Sequence, residues 1–204
     1  MVSPDRIKHF VFTRFFPRQD PNYPYDVLDV DFLSKQLPLT KNILSSLENQ
    51  SCKNFELVFV LNEKYFDEMK YAFIFSTLKE FTSLPLSFIM LGEDSKLIKA
   101  ACNDSNYDFV IYSRMDFDDF LYKDGIADTQ SKVNECEKML VYGYCKGYLY
   151  LNERLYTFSN LCVGLGHVAI LQSVIVESDF GKKYYYRMGR HTRILPTIKD
   201  FCDK

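Results

Sequence analysis

The sequence lacks several patterns that identify common classes of protein. It contains no Trp, and its six cysteines are so widely scattered that they form no Cys-x-x-Cys pair. Zinc ribbons and thioredoxin-type redox sites therefore have no support. The chain also lacks both Gly-x-Gly-x-x-Gly and the phosphate-binding Walker loop. Dinucleotide-binding dehydrogenases and P-loop enzymes thus lose their main sequence evidence.

The sequence also lacks a large excess of positive or negative charge, and it lacks long apolar runs. The 25 Lys and Arg residues nearly balance the 27 Asp and Glu residues, for a formal net charge of −2. This balance gives no electrostatic reason to expect binding to nucleic acid or to an anionic membrane. No apolar run approaches the roughly 18 residues of a membrane span, and residues 1–9 lack the apolar core of a signal peptide. We therefore expect a soluble, cytoplasmic protein.

In the first half of the chain, apolar runs rich in β-branched and aromatic residues alternate with segments of helical spacing. The predicted strands are residues 9–16, 55–61, 86–91 and 109–112, and the predicted helices are residues 31–50, 65–81 and 95–103. Pro38 interrupts the first helical segment, and Thr40 is a candidate cap. Strands that alternate with helices predict an α/β fold with a mostly parallel sheet and helices on both faces.

An acidic run directly follows the fourth predicted strand, with Asp116, Asp118 and Asp119 in four consecutive positions. Hard divalent cations prefer carboxylate oxygens and often share them with a substrate phosphate. In open α/β sheets, ligands also bind beyond the carboxyl ends of the strands. The run therefore predicts a cation site. A solvated acidic turn that follows a core strand is the alternative.

Two arginines lie near predicted strand ends. Arg14 follows Thr13 at the end of the first strand, and Arg114 lies two residues before the acidic run. The planar guanidinium group of Arg binds phosphate through two parallel hydrogen bonds. Both arginines are therefore candidates for contact with a pyrophosphate. The alternatives are a surface residue for Arg14 and a salt-bridge partner of the acidic run for Arg114.

The second half of the chain has a different pattern. Residues 126–137 have helical spacing, and the tyrosine-rich residues 139–158 alternate as two or three antiparallel strands would. Residues 167–177 are apolar, and we interpret them as a helix. The basic and aromatic residues 184–193 are too short a stretch, in a slightly acidic chain, to indicate RNA binding.

Several of these segments resemble glycosyltransferases. Residues 46–51, Ser-Leu-Glu-Asn-Gln-Ser, and residues 54–58, Asn-Phe-Glu-Leu-Val, resemble the early segment of family-2-type glycosyltransferases of the GT-A fold. The acidic run lies where that family carries its Asp-x-Asp metal motif. More narrowly, residues 9–15 and 113–119 resemble the bacterial group of candidate rhamnosyltransferases. The resemblance covers residues 8–130.

The resemblance implies a single GT-A-like domain, residues 1–204. Its nucleotide-sugar-binding half would be residues 1–122, and its acceptor-side half, with the smaller antiparallel portion, residues 123–204. The implied function is metal-dependent transfer of a hexose from a nucleotide-diphosphate donor to a glycan or lipid-linked acceptor in surface-polysaccharide synthesis. The group's name points to rhamnose. A lipid-linked acceptor would bring the protein to the periphery of a membrane.

The resemblance also implies roles for individual residues. The residues expected to bind the nucleotide-sugar are Thr13, Arg14, Asn62, Arg114 and Asp116. The residues expected to hold Mn²⁺ or Mg²⁺ are Asp118, Asp116, Asp119 and His191. The candidates for the carboxylate base that an inverting transferase needs are Glu177 and Asp179. Asn62 departs from the family pattern, because these enzymes usually have an Asp at this position.

Two other functions remain open at this stage. A nucleotidyltransferase on a similar sheet would also use an acidic metal site, but its usual Gly/Arg/Lys-rich first loop is missing. A catalytically silent GT-A-like module that binds sugars or proteins is the other alternative. Asn62 and the short C-terminal half favour this silent module.

Overall fold

The computed structural model describes residues 2–14, 30–61, 68–116, 119–143, 146–151, 154–159 and 172–181. The strands are β1 (Ile7–Arg14), β2 (Glu56–Leu61), β3 (Leu86–Met90), β4 (Phe109–Met115), β5 (Met139–Gly143), β6 (Lys146–Leu151), β7 (Arg154–Ser159) and β8 (Gln172–Glu177). The helices are α1 (Val30–Glu48), α2 (Glu68–Phe81), α3 (Asp94–Asn103), α4 (Gly125–Ser131) and α5 (Ser178–Gly181), and two short 3-10 helices are Pro4–Arg6 and Lys132–Glu135.

Six of these strands form one sheet in the order β3-β2-β1-β4-β8-β5. The pairs β1–β2, β1–β4 and β2–β3 are parallel. Strand β8 runs antiparallel between β4 and β5, and β6 and β7 form a separate antiparallel hairpin. The predicted α/β fold, with a mostly parallel sheet and a smaller antiparallel portion, is confirmed.

The strand order contains a topological switch point between β1 and β4. The chain leaves β1 for β2 and β3 on one side, whereas β4 and the later strands β8 and β5 lie on the other side. Thr13 pairs with Met115, and Arg14 pairs with Val60, so β1, β2 and β4 end together. We call this end of the sheet the carboxyl edge and the opposite end the amino edge. In such sheets the crevice beyond a switch point is the usual place for a ligand.

Continuous burial along the central strands shows that both faces of the sheet are covered. Five consecutive residues of β2, from position 57 to 61, are buried, as are residues 110–113 of β4. Neighbouring side chains of a strand point to opposite faces, so helices and loops must exclude water from both. Apolar side chains from α1, β1, β2, α3, β4 and β8 join in one core cluster.

A chain of buried polar side chains crosses this core. Gln130 of α4 donates a hydrogen bond to Nδ1 of His9 (3.3 Å), and Nε2 of His9 lies 2.7 Å from Oγ of Ser113. Ser113 Oγ is in turn 2.7 Å from Oγ of Ser173 on β8. Burial lowers the pKa of His9 to about 3, so the imidazole is neutral. The neutral ring, protonated at Nε2, satisfies both neighbours.

Two local predictions are wrong. Helix α1 continues through Pro38, and Thr40 is buried inside the helix instead of capping it. Apolar side chains beyond Pro38, such as Leu44 and Leu47, pack in the core, and this packing outweighs the local loss of one backbone hydrogen bond. Residues 172–177 form strand β8 and not the end of a helix. Their β-branched side chains at positions 174–176 fill a buried place between β4 and β5.

No helix within the described ranges is both long and apolar enough to cross a membrane.

Candidate functional site

The carboxyl edge brings together residues that the sequence separates by about a hundred positions. Thr13 and Arg14 end β1, and Asp116 directly follows β4, the neighbouring strand. Thr13 is fully buried, and within the described ranges its hydroxyl oxygen has no hydrogen-bond partner. Because a buried hydroxyl without a partner is costly, Thr13 is suited to donate to a ligand in the crevice.

The structure describes two residues of the acidic run, Asp116 and Asp119, and we call this hydrogen-bonded pair the acidic turn. The backbone N–H of Asp119 donates to the carbonyl oxygen of Asp116 (3.1 Å), three residues earlier. Arg114 Nη2 lies 3.2 Å from Oδ1 of Asp116. The Asp116 side chain is 38% exposed and that of Arg114 14%. The ion pair therefore orients one carboxylate while leaving it open to solvent. The predicted salt bridge between Arg114 and the acidic run is present.

The acidic turn fits a hard divalent cation in the chemistry of its donors. Asp116 and Asp119 are both partly exposed and lie on one turn, and carboxylate oxygens are the ligands that Mg²⁺ and Mn²⁺ prefer. Across the described ranges, no three His, Cys, Asp or Glu residues come together as a metal group. The other predicted ligands, Asp118 and His191, lie outside those ranges, as do Asn62 and the side chain of Arg14.

The two candidate catalytic bases lie at the amino edge of the sheet, opposite to the acidic turn. Glu177 pairs with Phe109, the first residue of β4, and Asp179 follows in α5. Met115, the last residue of β4, comes six positions after Phe109. At a rise of about 3.3 Å per residue, the two ends of β4 are about 20 Å apart. Because β8 runs antiparallel to β4, its carboxyl end lies at the amino edge. The structure therefore places the two candidate bases, Glu177 and Asp179, at the amino edge and does not bring them together with the acidic turn.

Two polar residues that were not predicted as site residues contact the segment after the acidic turn. Ser46 and Gln50 of the α1 region hydrogen bond to the backbone of residues 121, 122 and 126. Residues 46–51 were noted only for their resemblance to a glycosyltransferase motif. A polar pair four residues apart, beside the apolar stripe of Ile43 and Leu47, was the available signal, since such a pair lies on one side of a helix.

Comparison of the sequence with protein-family models and with curated proteins gives no match. Comparison of the fold with solved structures gives many. A candidate nucleotide-diphospho-sugar transferase from Desulfovibrio desulfuricans G20 is similar over 98% of this chain and 76% of its own, with a TM-score of 0.52 and 10% identity. At this identity, the similarity establishes the fold alone. The protein has a GT-A-like mixed α/β fold.

Two further structures are similar at TM-scores below 0.5. One is TarS 1-349 of S. aureus, at 15% identity and a TM-score of 0.42, over 91% of this chain. The chain spans about half of that fragment, 53% of its length. The other is the 4-diphosphocytidyl-2C-methyl-D-erythritol synthase of Anaerococcus prevotii, at 10% identity and a TM-score of 0.48, over 96% of this chain and 83% of its own.

Proposed function

We propose that this protein is a metal-dependent glycosyltransferase that uses a nucleotide-diphosphate sugar as its donor. The observation that carries the proposal is the meeting of Thr13 and the acidic turn at the switch point of a GT-A-like sheet. Ligands of open α/β sheets bind beyond such a point. A diphosphate group and a divalent cation together match a site that holds carboxylates and an Arg.

In this proposal each side chain of the site has a defined task. Asp116 and Asp119, with Asp118, hold Mn²⁺ or Mg²⁺. Arg114 fixes the Asp116 carboxylate through its ion pair, and the Thr13 hydroxyl donates to the bound nucleotide-sugar. Arg14 and Asn62 contact the same donor, and His191 completes the metal site. When bound, the cation would supply positive charge to offset the negative charge on the diphosphate leaving group.

The proposal also covers the domain organisation, the acceptor, the pathway, the sugar and the catalytic base. We propose a single domain, and the six-stranded sheet supports it because β8, from the second half of the chain, pairs with β4 from the first half, and β5 joins the same sheet beside β8. The acceptor is a glycan or a lipid-linked sugar, the pathway is surface-polysaccharide synthesis in the cytoplasm, and rhamnose is the first sugar to test. Neither Glu177 nor Asp179 is proposed as the base, because both lie at the amino edge.

A thermal-shift panel tests the proposal directly. UDP, GDP, dTDP and CDP are each added with and without Mn²⁺. A ligand at 100 times its Kd stabilises the folded state by about 2.7 kcal/mol, which raises Tm by several degrees in a chain of this size. We expect one nucleotide to shift the wild type only with Mn²⁺, and Asp118→Ala to abolish the shift. Asp128→Ala, which removes an exposed carboxylate of α4, is the matched control.

The outcomes separate the candidate functions. A protein that responds to no nucleotide under any condition is not a nucleotide-sugar transferase. If a nucleotide binds with metal, slow metal-dependent hydrolysis of the matching nucleotide-sugar distinguishes an active transferase from a silent binding module, because an active site transfers some sugar to water.

A further inference from the structure

Ser46 lies on the last turn of α1 and holds one residue of the segment that follows the acidic turn. Its hydroxyl accepts a hydrogen bond from the N–H of Leu121 (2.9 Å) and donates one to the carbonyl oxygen of the same residue (3.0 Å). Both backbone groups of Leu121 are therefore satisfied by a single side chain 75 positions away in sequence. This pairing replaces the regular partners that a strand or helix would supply.

Gln50 binds the same segment one helical turn further on. Its Nε2 donates to the carbonyl oxygen of Tyr122 (2.9 Å), and its Oε1 accepts from the N–H of Ile126 (3.1 Å). The side chain is only 2% exposed. The adjacent N–H of Ser51 donates to the carbonyl oxygen of Lys123 (2.7 Å). A buried amide that uses both ends is oriented in one way only, so it fixes residues 122 and 126 together.

Close packing restricts the segment further. Leu121 is buried at 6% exposure, and its side chain covers Gly125. A Cβ atom at position 125 would lie 2.5 Å from Cγ of Leu121, which is closer than carbon atoms can approach. The N–H of Gly125 also donates to the carbonyl oxygen of Tyr122 (3.0 Å). Hydrogen bonds and packing thus select the same arrangement of residues 121–126.

This arrangement determines where the acidic turn ends. Strand β4 fixes the start of the turn, at Asp116, and the segment bound by α1 begins at Leu121, two residues after Asp119. The carboxylates of the turn repel one another, and without a cation that repulsion favours a more open turn. Anchors at both ends oppose the opening.

We propose that Ser46 and Gln50 are positioning residues that hold the carboxylates of the acidic turn in their cation-binding arrangement before the cation binds. The inference rests on the proposed function for the nature of the ligand, a divalent cation. Residues that orient metal ligands from behind typically contribute ten- to hundredfold to metal affinity. Neither side chain touches the cation, so the effect is transmitted through the backbone of residues 119–126.

The test measures Mn²⁺ binding alone, by isothermal titration calorimetry on the full chain. Gln50→Met keeps the length and most of the volume of the side chain and removes its hydrogen bonds to Tyr122 and Ile126. We expect it to raise the Kd for Mn²⁺ ten- to hundredfold. The matched control is Asn49→Ala, because the exposed side chain of Asn49 donates to the carbonyl oxygen of Ser45 in α1 and to no other residue that the structure describes. The control should keep the wild-type Kd.

The outcomes distinguish this inference from the function on which it rests. If the wild type binds no Mn²⁺, the proposed function fails and the inference fails with it. If the wild type binds Mn²⁺ and folded Gln50→Met binds it equally well, the inference alone is overturned. This holds even if the variant without metal is less stable than the wild type without metal. Ser46→Ala removes the two hydrogen bonds to the backbone of Leu121. It replaces Gln50→Met in the titration if that variant does not fold. An unchanged Kd in Ser46→Ala also overturns the inference.

Discussion

The two edges of the sheet are both rich in charge, but they balance it differently. At the amino edge, Arg6 lies 2.5 Å from Asp108, with a second hydrogen bond of 3.1 Å, and Lys8 lies 2.7 Å from Glu56. Hydrogen bonding to Arg6 is the main cause that lowers the pKa of Asp108, and hydrogen bonding to Asp108 likewise raises the pKa of Arg6. Opposite charges at this edge therefore stabilise one another without a ligand.

At the carboxyl edge, closely spaced carboxylates lie near two arginines, Arg14 and Arg114. The acidic run, residues 116–119, has Asp at three of its four positions, and the ion pair that the structure describes there joins Arg114 to Asp116. The comparison teaches that charged residues alone do not distinguish the two edges, since both carry them. Our proposal places the ligand at the carboxyl edge because carboxylates adjoin the topological switch point there, where a bound cation would offset their repulsion.

The largest expected effect separates the two edges by their response to ligands. Asp116→Asn should abolish the nucleotide- and Mn²⁺-dependent rise in Tm, a loss of about 2.7 kcal/mol at 100 times the Kd. Asp108→Asn removes an equivalent charge at the amino edge and should leave that rise unchanged. Differential scanning fluorimetry with the responding nucleotide measures both. Equal losses in the two variants would contradict a ligand site confined to the carboxyl edge.

The sequence predicted the first half of the fold well because its signals are local. Apolar runs such as residues 55–61 and 109–112 are buried strands, and the alternation with helices led correctly to a parallel sheet. Asp116 was expected at a strand's carboxyl end, where it lies. These inferences need only the spacing of neighbouring residues and the rule that parallel strands end at one edge.

The errors lie where distant contacts decide the structure. Residues 172–177 are apolar, and length and composition alone do not separate a buried strand from a buried helix. Insertion between β4 and β5 determines that they form a strand, and its direction carries Glu177 to the amino edge. The role of Gln50 was missed for the same reason, since its partners Tyr122 and Ile126 are more than 70 residues away.

A second prediction concerns His9, which lies in the core between the two edges. Its folded pKa of about 3 is below the unfolded value near 6.5, so as the pH falls the unfolded state binds a proton first. The stability that His9 contributes is thus complete above about pH 6.5 and is lost as the pH falls below it. Between pH 7 and pH 5 the loss is about 2 kcal/mol.

Urea unfolding of the wild type and of His9→Gln at both pH values isolates this contribution. The variant has lower stability at pH 7, because the hydrogen bonds with Ser113 and Gln130 change, but its pH dependence should be weaker by about 2 kcal/mol. Comparison with the variant removes the contributions of the other titrating groups. An identical pH dependence in the two proteins would mean that His9 is not buried in its neutral form.

The smallest expected effect comes from the partly buried ion pair at the amino edge. Glu56 accepts hydrogen bonds from Lys8 and from Ser87, and its side chain is 20% exposed. Glu56→Gln keeps the shape and an acceptor oxygen but removes the charge, and should lower the free energy of unfolding by about 1 kcal/mol. Urea unfolding at pH 7 measures the change, and added salt should weaken it.

The exposed pair of Lys132 and Glu135 provides the matched control for this prediction. Their charged atoms are 2.6 Å apart, but the Glu135 side chain is 60% exposed. Glu135→Gln should therefore cost less than Glu56→Gln, since water screens an exposed pair more strongly. Neither variant should change the response to Mn²⁺ and nucleotide. If Glu56→Gln weakened that response as much as Asp116→Asn, the paired charges of the amino edge would be part of the site, and the proposed functional difference between the two edges would be contradicted.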